Sequence, residues 1–285
     1  MYNLSPIEPV DYLIIGHLTQ DMTENGPVLG GTASYAARTA LAIGLRVGIV
    51  TSCASDIALD SLNGAAISMR ASEYSTTFEN IQTPNGRIQY LHHLASGLDY
   101  SMVPRTWQDA PIVHLGPIAQ EVDPKLARAF PDSQVCLTPQ GWLRTWNSDH
   151  KVHPTDWPEA RYVLENASAA VLSIEDVQGD ESILEDMLSS IRILVVTEGA
   201  RGSRLYWNGD LRYFRPPEVP EIDPTGAGDI FAAAFFVRLY QTHDPWEAAR
   251  FATQLAANSV TRPGLAGTPT IDEVQTALLE IIPKA

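Results

Sequence analysis

Short apolar runs recur along the chain and alternate with segments of helical periodicity. The runs are five or six residues long and lie at 11–16, 46–51, 111–116, 134–138, 169–174 and 193–197. Strands that helices cover on both faces have this continuous apolar character. Helical patterns, such as those at 157–166 and 181–190, separate the runs. The alternation predicts an α/β fold with a single doubly wound, mostly parallel sheet and helices on both of its faces.

Two stretches break this alternation with turn residues. Glu24-Asn25-Gly26-Pro27 has the composition of a tight reversal and predicts a small flap after the first strand. Pro84-Asn85-Gly86 is flanked by β-branched and aromatic residues, which predicts a β-hairpin. No repeat, low-complexity segment or linker interrupts the 285 residues, so we expect one domain over 1–285.

The charge of the chain and its cysteines indicate which kinds of partner and which cellular compartment to expect. The chain has 19 basic and 34 acidic residues, a formal charge of −15, which argues against a nucleic-acid or anionic-membrane partner. No apolar run is long enough to cross a bilayer and the N-terminus lacks a signal-peptide pattern, so we expect neither export nor insertion. Cys53 and Cys136 have neither metal-ligand nor redox spacing. We expect buried free thiols in a reducing cytoplasm.

The candidate chemistry lies at a small-residue turn before an apolar helical segment. Gly226 and Gly228 leave room for an oxyanion, and the first N–H groups of a helix lack intrahelical partners. Asp229 falls in the first turn, where the helix dipole keeps a carboxylate ionised and suited to accept a hydroxyl proton. The alternative is an ordinary helix start, in which Thr225 caps the helix and Asp229 only complements the dipole. The stretch 223–236 reads Asp-Pro-Thr-Gly-Ala-Gly-Asp-Ile-Phe-Ala-Ala-Ala-Phe-Phe.

Polar and small residues follow the first predicted strand, at the edge where open α/β sheets bind ligands. Asp21 is placed there to accept hydrogen bonds from substrate hydroxyl groups, and a solvated loop acid is the alternative. Gly30 and Gly31 open a helical segment, and a diglycine at a helix entrance lets a ligand approach the backbone. A flexible loop is the alternative for these two glycines.

Further polar residues leave the ends of two later strands. Gln140 and Trp142 follow the run at 134–138, so both are candidates to line the site, although a tryptophan is more often core. Glu175 and Asp176 are adjacent acids after the run at 169–174. Such carboxylates can hold Mg²⁺ through water molecules, because Mg²⁺ sheds its hydration reluctantly.

The stretch 223–236 resembles the C-terminal signature of the ribokinase-like (PfkB) family of sugar and nucleoside kinases. The resemblance implies that Asp229 is the catalytic base and that the amides of Gly226, Ala227 and Gly228 form an anion hole. Gly30 and Gly31 resemble the family's N-terminal signature. That signature usually has asparagine where this chain has Tyr35, which alters a residue that contacts substrate in the family.

The same resemblance assigns further parts of the chain. It implies a small β lid over the substrate, formed by segments at about 17–31 and 74–94, and the lid is also a candidate surface for homodimer formation. Arg87 lies in the lid, where it either reaches substrate or stays solvated. The residues implied for nucleotide binding are Thr197, Gly199, Thr225, Asn258 and Gly264.

These features together predict an ATP- and Mg²⁺-dependent kinase of a small neutral polyhydroxy substrate, a sugar or a cyclitol. The stretches 139–144 and 173–176 look more like inositol-kinase-like members than like ribokinase itself. A nucleoside kinase is an alternative, because Tyr35 and Trp142 could stack on a base. A non-catalytic sugar- or nucleotide-binding protein on the same fold is another. Hydrolases and oxidoreductases are disfavoured because their nucleophile-elbow and dinucleotide motifs are missing from the expected positions.

Overall fold

The computed structural model describes residues 7–83 and 86–279. Strands are numbered in chain order as β1 Tyr12–Ile15, β2 Thr19–Thr23, β3 Gly26–Gly30, β4 Val47–Cys53, β5 Ala66–Ala71, β6 Thr76–Thr83, β7 Gly86–His93, β8 Ile112–Leu115, β9 Gln134–Leu137, β10 Arg144–Trp146, β11 Val152–Pro154, β12 Ala169–Ser173, β13 Ile193–Thr197, β14 Ser203–Trp207 and β15 Asp210–Phe214. The α-helices are α1 Thr32–Ala42, α2 Ala160–Glu165, α3 Glu181–Leu188, α4 Ala227–Thr242, α5 Pro245–Ser259 and α6 Ile271–Leu278.

The main sheet has nine strands in the order β15-β14-β13-β12-β9-β8-β1-β4-β5. All of its neighbouring pairs are parallel except β13-β14 and β14-β15. From β1 the chain first adds β4 and β5 on one side and later adds β8 and the remaining strands on the other. This reversal places a crevice beyond the carboxyl ends of β1 and β8, where such sheets bind ligands. The predicted doubly wound, mostly parallel sheet is confirmed.

Hydrophobic cores cover both faces of the sheet. Tyr12 and Ile14 of β1 face one core, which also contains residues of α1, α4, α5 and α6. Leu13 and Ile15 face the other core, which contains residues of α2 and α3. Both sides of the strand are apolar because helices exclude water from both faces. In the part of the chain that the structure describes, no helix is long and apolar enough to cross a membrane.

Several connections that we expected to be helical are shorter or irregular. The pattern at 157–166 forms a helix only over Ala160–Glu165, and the pattern at 181–190 ends at Leu188. The connection from β7 to β8 carries a short 3₁₀ segment at Arg105–Trp107, and the connection from β8 to β9 carries one at Pro124–Arg128. Prolines recur along both connections. They disfavour a long helix there, because proline lacks an N–H donor and clashes with the preceding helical turn.

A second sheet forms the predicted lid, with the strand order β3-β2-β6-β7. The hairpin predicted at 84–86 joins β6 to β7, although Pro84 and Asn85 lie outside the described residues. A further hairpin, β10-β11, was not predicted from the sequence, and it reaches the lid through the amide of Leu91, which donates to the His150 carbonyl oxygen at 2.9 Å.

A small apolar cluster fixes the lid to the rest of the chain. Phe78 and Leu91 of the lid pack against Ile118 and Ala119, which follow β8. Trp146 and Val152 of the β10-β11 hairpin cover this cluster. The lid is thus attached to the strand ends through side-chain packing as well as through the backbone.

Replacement of Leu91 by alanine tests this attachment. Leu91 is 2% exposed, and burial of this kind is worth about 2–5 kcal/mol in leucine-to-alanine series. We expect faster amide hydrogen exchange in β6 and β7 with unchanged exchange in the main sheet. The control is Ile81→Ala on the same sheet, where the side chain is 41% exposed. Equal acceleration across the main sheet would contradict the local role of the cluster.

Candidate functional site

The turn before α4 is built by the carboxylate of Asp223. Its Oδ1 accepts a hydrogen bond from the Thr225 amide at 2.9 Å, and its Oδ2 accepts one from the Gly264 amide at 2.7 Å. Gly226 then adopts φ 79°, a left-handed conformation that glycine tolerates, and α4 begins at Ala227. Thr225 is exposed and does not cap the helix through its side chain, contrary to the ordinary helix start considered above.

Position 226 also needs a residue without a side chain, because an aromatic ring occupies the adjacent space. A Cβ atom at Gly226 would overlap the ring of Tyr35, which is 3% exposed. Burial is the largest influence on the Tyr35 phenol and raises its pKa above the ordinary range, so the group stays neutral. Tyr35 therefore packs against the turn, and the burial of its ring disfavours the alternative in which it stacks on a substrate base.

Trp142 is likewise a core residue. Its ring is 5% exposed and stacks on Trp157 with 5.0 Å between the ring centroids. Its indole N–H donates to the Val122 carbonyl oxygen at 3.0 Å. Neither of the two aromatic residues proposed to hold a nucleoside base presents a free face.

The amides predicted to form the anion hole lie at the N-terminus of α4, a helix of 16 residues. A Cβ atom at Gly228 would meet no atom within 4 Å, so an anion has room to approach there. The Ala227 amide, in contrast, donates to the Pro224 carbonyl oxygen at 3.2 Å. The helix start is therefore open at Gly228, whereas the Ala227 amide is already engaged within the turn.

Asp229 lies in the first turn of α4, half-buried at the strand ends. Burial is the largest influence on this carboxyl group and raises its pKa to about 6. The hydrogen bond from Thr32 and the charge of Arg144 lower the pKa, whereas the charges of Asp176 and Asp21 raise it. A carboxyl group with this pKa is ionised at neutral pH and is still basic enough to take a proton from a hydroxyl group.

Thr32 also belongs to the site, although it was not predicted from the sequence: its hydroxyl donates to Asp229 Oδ1 at 2.7 Å. Thr32 is the first residue of α1, directly after Gly31. The available signal was weak, since a threonine at a helix start usually suggests capping. The contact joins residues 197 positions apart, and local sequence patterns do not encode such a distance.

Asp21 and the diglycine come together, as the spacing suggested. The Asp21 carboxylate lies over Gly30, where a Cβ atom would overlap it. Gly31 has φ 85°, and a Cβ atom there would lie 2.8 Å from the His17 carbonyl oxygen. Strand β2 can therefore fold back over the start of α1 only because both residues lack side chains.

The predicted metal residues differ in their surroundings. Glu175 is exposed. Asp176 Oδ1 accepts a hydrogen bond from Gln140 at 3.0 Å and lies 3.8 Å from the Arg144 guanidinium, while Oδ2 accepts from the Ser173 amide at 2.9 Å. Within residues 7–83 and 86–279, no three His, Cys, Asp or Glu side chains cluster as a metal site. These residues fit only an ion that keeps most of its water, as Mg²⁺ does.

The predicted nucleotide residues flank the same edge. Thr197 ends β13 beside Ser173, and a Cβ atom at Gly199 would meet nothing within 4 Å. Asn258 lies two residues before Val260, whose carbonyl oxygen accepts a hydrogen bond from the Asp223 amide at 3.1 Å. The structure thus places the segment with Asn258 and Gly264 beside the turn before α4, and Thr197 at the end of β13 beside β12.

Arg87 lies in β7, paired with Gln82. Its side chain is outside the described residues, so its predicted contact with substrate stays a prediction.

Comparison with known proteins gives a family match and several kinase relatives. Residues 163–271 match the model of the "pfkB family carbohydrate kinase". A cytidine kinase of Thermococcus kodakarensis is 23% identical over 79% of this chain and 87% of its own length. An inositol 3-kinase of Oryza sativa subsp. japonica is 37% identical, but over only 32% of this chain and 23% of its own length.

Solved structures show the same fold over nearly the whole chain. A pyrophosphate-dependent kinase in the ribokinase family, complexed with a pyrophosphate analog and myo-inositol, aligns with a TM-score of 0.76 at 19% identity, covering 94% of this chain and 100% of that one. Arabidopsis thaliana ribokinase, complexed with ribose and ATP, aligns with a TM-score of 0.72 at 16% identity, covering 95% and 99%. At these identities the likeness establishes a ribokinase-like fold.

The raised pKa of Asp229 predicts that this residue lowers stability at neutral pH. Its folded-state pKa of about 6 lies above the reference value of 3.8, so folding disfavours the ionised form, and stability falls as the pH rises from about 4 to 6. We expect Asp229→Asn to stabilise the fold by about 1–3 kcal/mol at pH 7.5 and hardly at pH 4. Urea denaturation at both pH values measures this difference.

The control is Asp223→Asn in the same turn. Burial raises the Asp223 pKa, but the hydrogen bonds from Thr225 and Gly264 outweigh it and lower the pKa overall. The ionised form therefore stabilises the fold at neutral pH, and its removal should destabilise the protein there. Destabilisation by Asp229→Asn at pH 7.5 would contradict the raised pKa of Asp229.

Proposed function

Because the chain carries a pfkB family carbohydrate kinase domain, we propose that it transfers the terminal phosphoryl group of ATP to a hydroxyl group of a small neutral polyhydroxy compound. A cyclitol such as inositol, or a sugar, is the favoured acceptor. The observation that carries the proposal is the pairing of a half-buried carboxylate, Asp229, with the open N-terminus of α4.

In the proposed reaction Asp229 takes the proton of the acceptor hydroxyl group. The hydroxyl oxygen forms a bond to the transferred phosphorus, and the bond from phosphorus to the leaving phosphate of the donor breaks. Amides at the start of α4 stabilise the negative charge on the transferred group. This division of labour fits phosphoryl transfer, in which positioning and electrostatics supply most of the catalysis.

The charge of the site supports a neutral acceptor. The charges of Asp176 and Asp21 both act on Asp229, and Arg144 offsets one of these negative charges. An acceptor that already carries a phosphate group would therefore be repelled by the carboxylates nearby. Polyhydroxy compounds, in contrast, donate hydrogen bonds to carboxylates such as Asp21.

A cyclitol or sugar is favoured over a nucleoside because the two aromatic residues considered for stacking on a base are buried. Tyr35 and Trp142 are 3% and 5% exposed, and both pack within the protein. The resemblance to an inositol 3-kinase, although it covers a third of this chain, supports the same choice. The similarity to a cytidine kinase keeps nucleosides as the second candidate class.

For the donor, we propose ATP bound by Thr197, Gly199, Thr225, Asn258 and Gly264. Support comes from the contact of Gly264 with the turn before α4, from the position of Thr197 at the end of β13, and from the ATP in the Arabidopsis thaliana ribokinase complex. Asp176, with Glu175 beside it, would hold Mg²⁺ mainly through water, and the ion would neutralise donor phosphate charge. The pyrophosphate-dependent kinase of the same fold makes pyrophosphate the donor to test beside ATP.

A non-catalytic binding protein is disfavoured by Asp229 itself. An ionised carboxylate whose burial raises its pKa costs stability, and such costs are typical of catalytic groups. A protein that only binds sugar or nucleotide has no physical need for this residue.

Asp229→Asn tests the proposed function. Neutral cyclitols, pentoses, hexoses and nucleosides, including cytidine, are offered with ATP or pyrophosphate, with Mg²⁺ and with excess EDTA, and phosphorylated products are detected by ³¹P NMR. We expect a neutral cyclitol or sugar to be phosphorylated by ATP. The amide cannot accept the proton, so kcat of the variant should fall by about 10²–10⁴.

The control is Asp180→Asn, which changes the N-cap of α3. Asparagine caps a helix as well as aspartate does, so this variant should keep wild-type kcat. An Asp229→Asn enzyme with a tenth or more of wild-type kcat would rule out the base assignment. No product with any acceptor would rule out the kinase.

Asp21→Ala tests the acceptor site separately. Loss of a charged hydrogen-bond partner costs roughly tenfold to a hundredfold in binding, so kcat/KM for the acceptor should fall on that scale. Affinity for ATP should change by less than about threefold, because the proposed donor residues lie on segments other than β2. Glu24→Ala, at an exposed acid in the same β2-β3 hairpin, is the control. Equal losses for acceptor and ATP would contradict the assignment.

A further inference from the structure

The hydroxyl group of Thr32 bonds to a residue outside its own helix, unlike most hydroxyl groups in helices. Hydroxyl groups inside helices normally donate to the carbonyl oxygen four residues earlier. In α1, Thr39 does so to Tyr35 at 2.8 Å, and Ser34 does so to Gly30 at 2.6 Å. Thr32 is the first residue of α1 and has no helical turn before it, so its hydroxyl donates to Asp229 instead.

The orientation of the Thr32 side chain is fixed by packing. Thr32 is 1% exposed, and its Cγ2 methyl lies beside Gly116, where a Cβ atom would be 2.9 Å away. A larger residue at position 116 would displace the methyl. Because a threonine has few χ1 rotamers, a fixed methyl group also fixes the direction of the hydroxyl. Because Gly116 has no side chain, it leaves room for the Thr32 methyl in the orientation that directs the hydroxyl to Asp229 Oδ1.

We propose that Thr32 is a positioning residue for the phosphoryl transfer, one that holds Asp229 in its ionised form and leaves Oδ2 to receive the acceptor proton. A carboxylate has two oxygens, and the hydrogen bond to Oδ1 fixes the plane of the group. The donor also favours the ionised form over the protonated one, since a hydroxyl donates more strongly to a charged oxygen. This inference rests on the proposed role of Asp229.

The other charges around Asp229 come from different elements and stay in place when Thr32 changes. Two phenols from β1 and α1 also face it and are neutral, because burial raises the pKa of each. The groups that act on Asp229 or respond to it are Asp21 from β2, Arg144 from β10, Asp176 from the turn after β12, Tyr12 from β1 and Tyr35 from α1. A change in titration on mutation of Thr32 therefore reports the hydrogen bond.

The test compares Thr32→Val, which keeps the shape and removes the donor, with Thr32→Ser, which keeps the donor. Thr39→Val is the matched control, because it removes a buried threonine hydroxyl from the same helix without touching Asp229. The acid limb of kcat/KM against pH is measured with the acceptor found in the panel above. Carboxyl ¹³C NMR, with the Asp229 signal assigned from Asp229→Asn, gives the titration without any substrate.

We expect the acid limb and the NMR titration of Thr32→Val to move up by about one pH unit from the wild-type position near 6. This shift corresponds to a kcat/KM about fivefold lower at pH 6 and close to that of the wild type at pH 9. Thr32→Ser and Thr39→Val should keep the wild-type limb.

Two results would overturn the inference. A uniform loss of activity in Thr32→Val, with an unmoved acid limb and NMR titration, would show that Thr32 only supports the fold. In that case an inactive Asp229→Asn would still uphold Asp229 as the base. An active Asp229→Asn would instead remove the base assignment and, with it, the positioning role of Thr32.

Discussion

The meeting of two helix starts, α1 and α4, is the constraint on which the site depends. Thr32 donates to Asp229 across 197 positions of sequence, and the Tyr35 ring fills the space that Gly226 leaves. Both contacts lie at the carboxyl edge of the parallel strands, where the strand order reverses at β1 and leaves a crevice. Their N-termini together create a positive potential in which a carboxylate and a phosphate can lie side by side.

That arrangement costs stability, and the surrounding turn offsets part of the cost. Burial disfavours the ionised form of Asp229, whereas Asp223, six residues earlier, gains two hydrogen bonds from backbone amides. The second of these bonds ties the turn before α4 to the loop that follows α5. One carboxylate therefore stabilises the loop connections, and the other is the proposed base. This separation keeps the proposed base free of a purely structural task.

The sequence predicted the parts of the molecule that local patterns encode. Apolar runs predicted β1, β8, β12 and β13, because strands buried on both faces need continuous apolar side chains. The glycine turn before Asp229 was also predicted, since its conformation and its helix start depend on neighbouring residues. For Trp142, the core position that the sequence favoured is confirmed. The contact of Thr32 with Asp229 and the position of Tyr35 against Gly226 were not predicted. Both depend on a partner distant in sequence, and a polar or aromatic side chain alone gives no information about that partner.

The distribution of charge around Asp229 explains how the proposed base and the proposed anion site at α4 can operate together. Asp21 and Asp176 raise the pKa of Asp229, and a donor phosphate bound at α4 would raise it further. Three influences act in the opposite direction: the Thr32 hydrogen bond, the Arg144 charge and the dipole of α4. If Asp229 is the proposed base, it must stay ionised beside a polyanionic donor, and donors already fixed in the fold favour the ionised form. The hydroxyl at the start of α1 therefore belongs to the same electrostatic design as the amides at the start of α4.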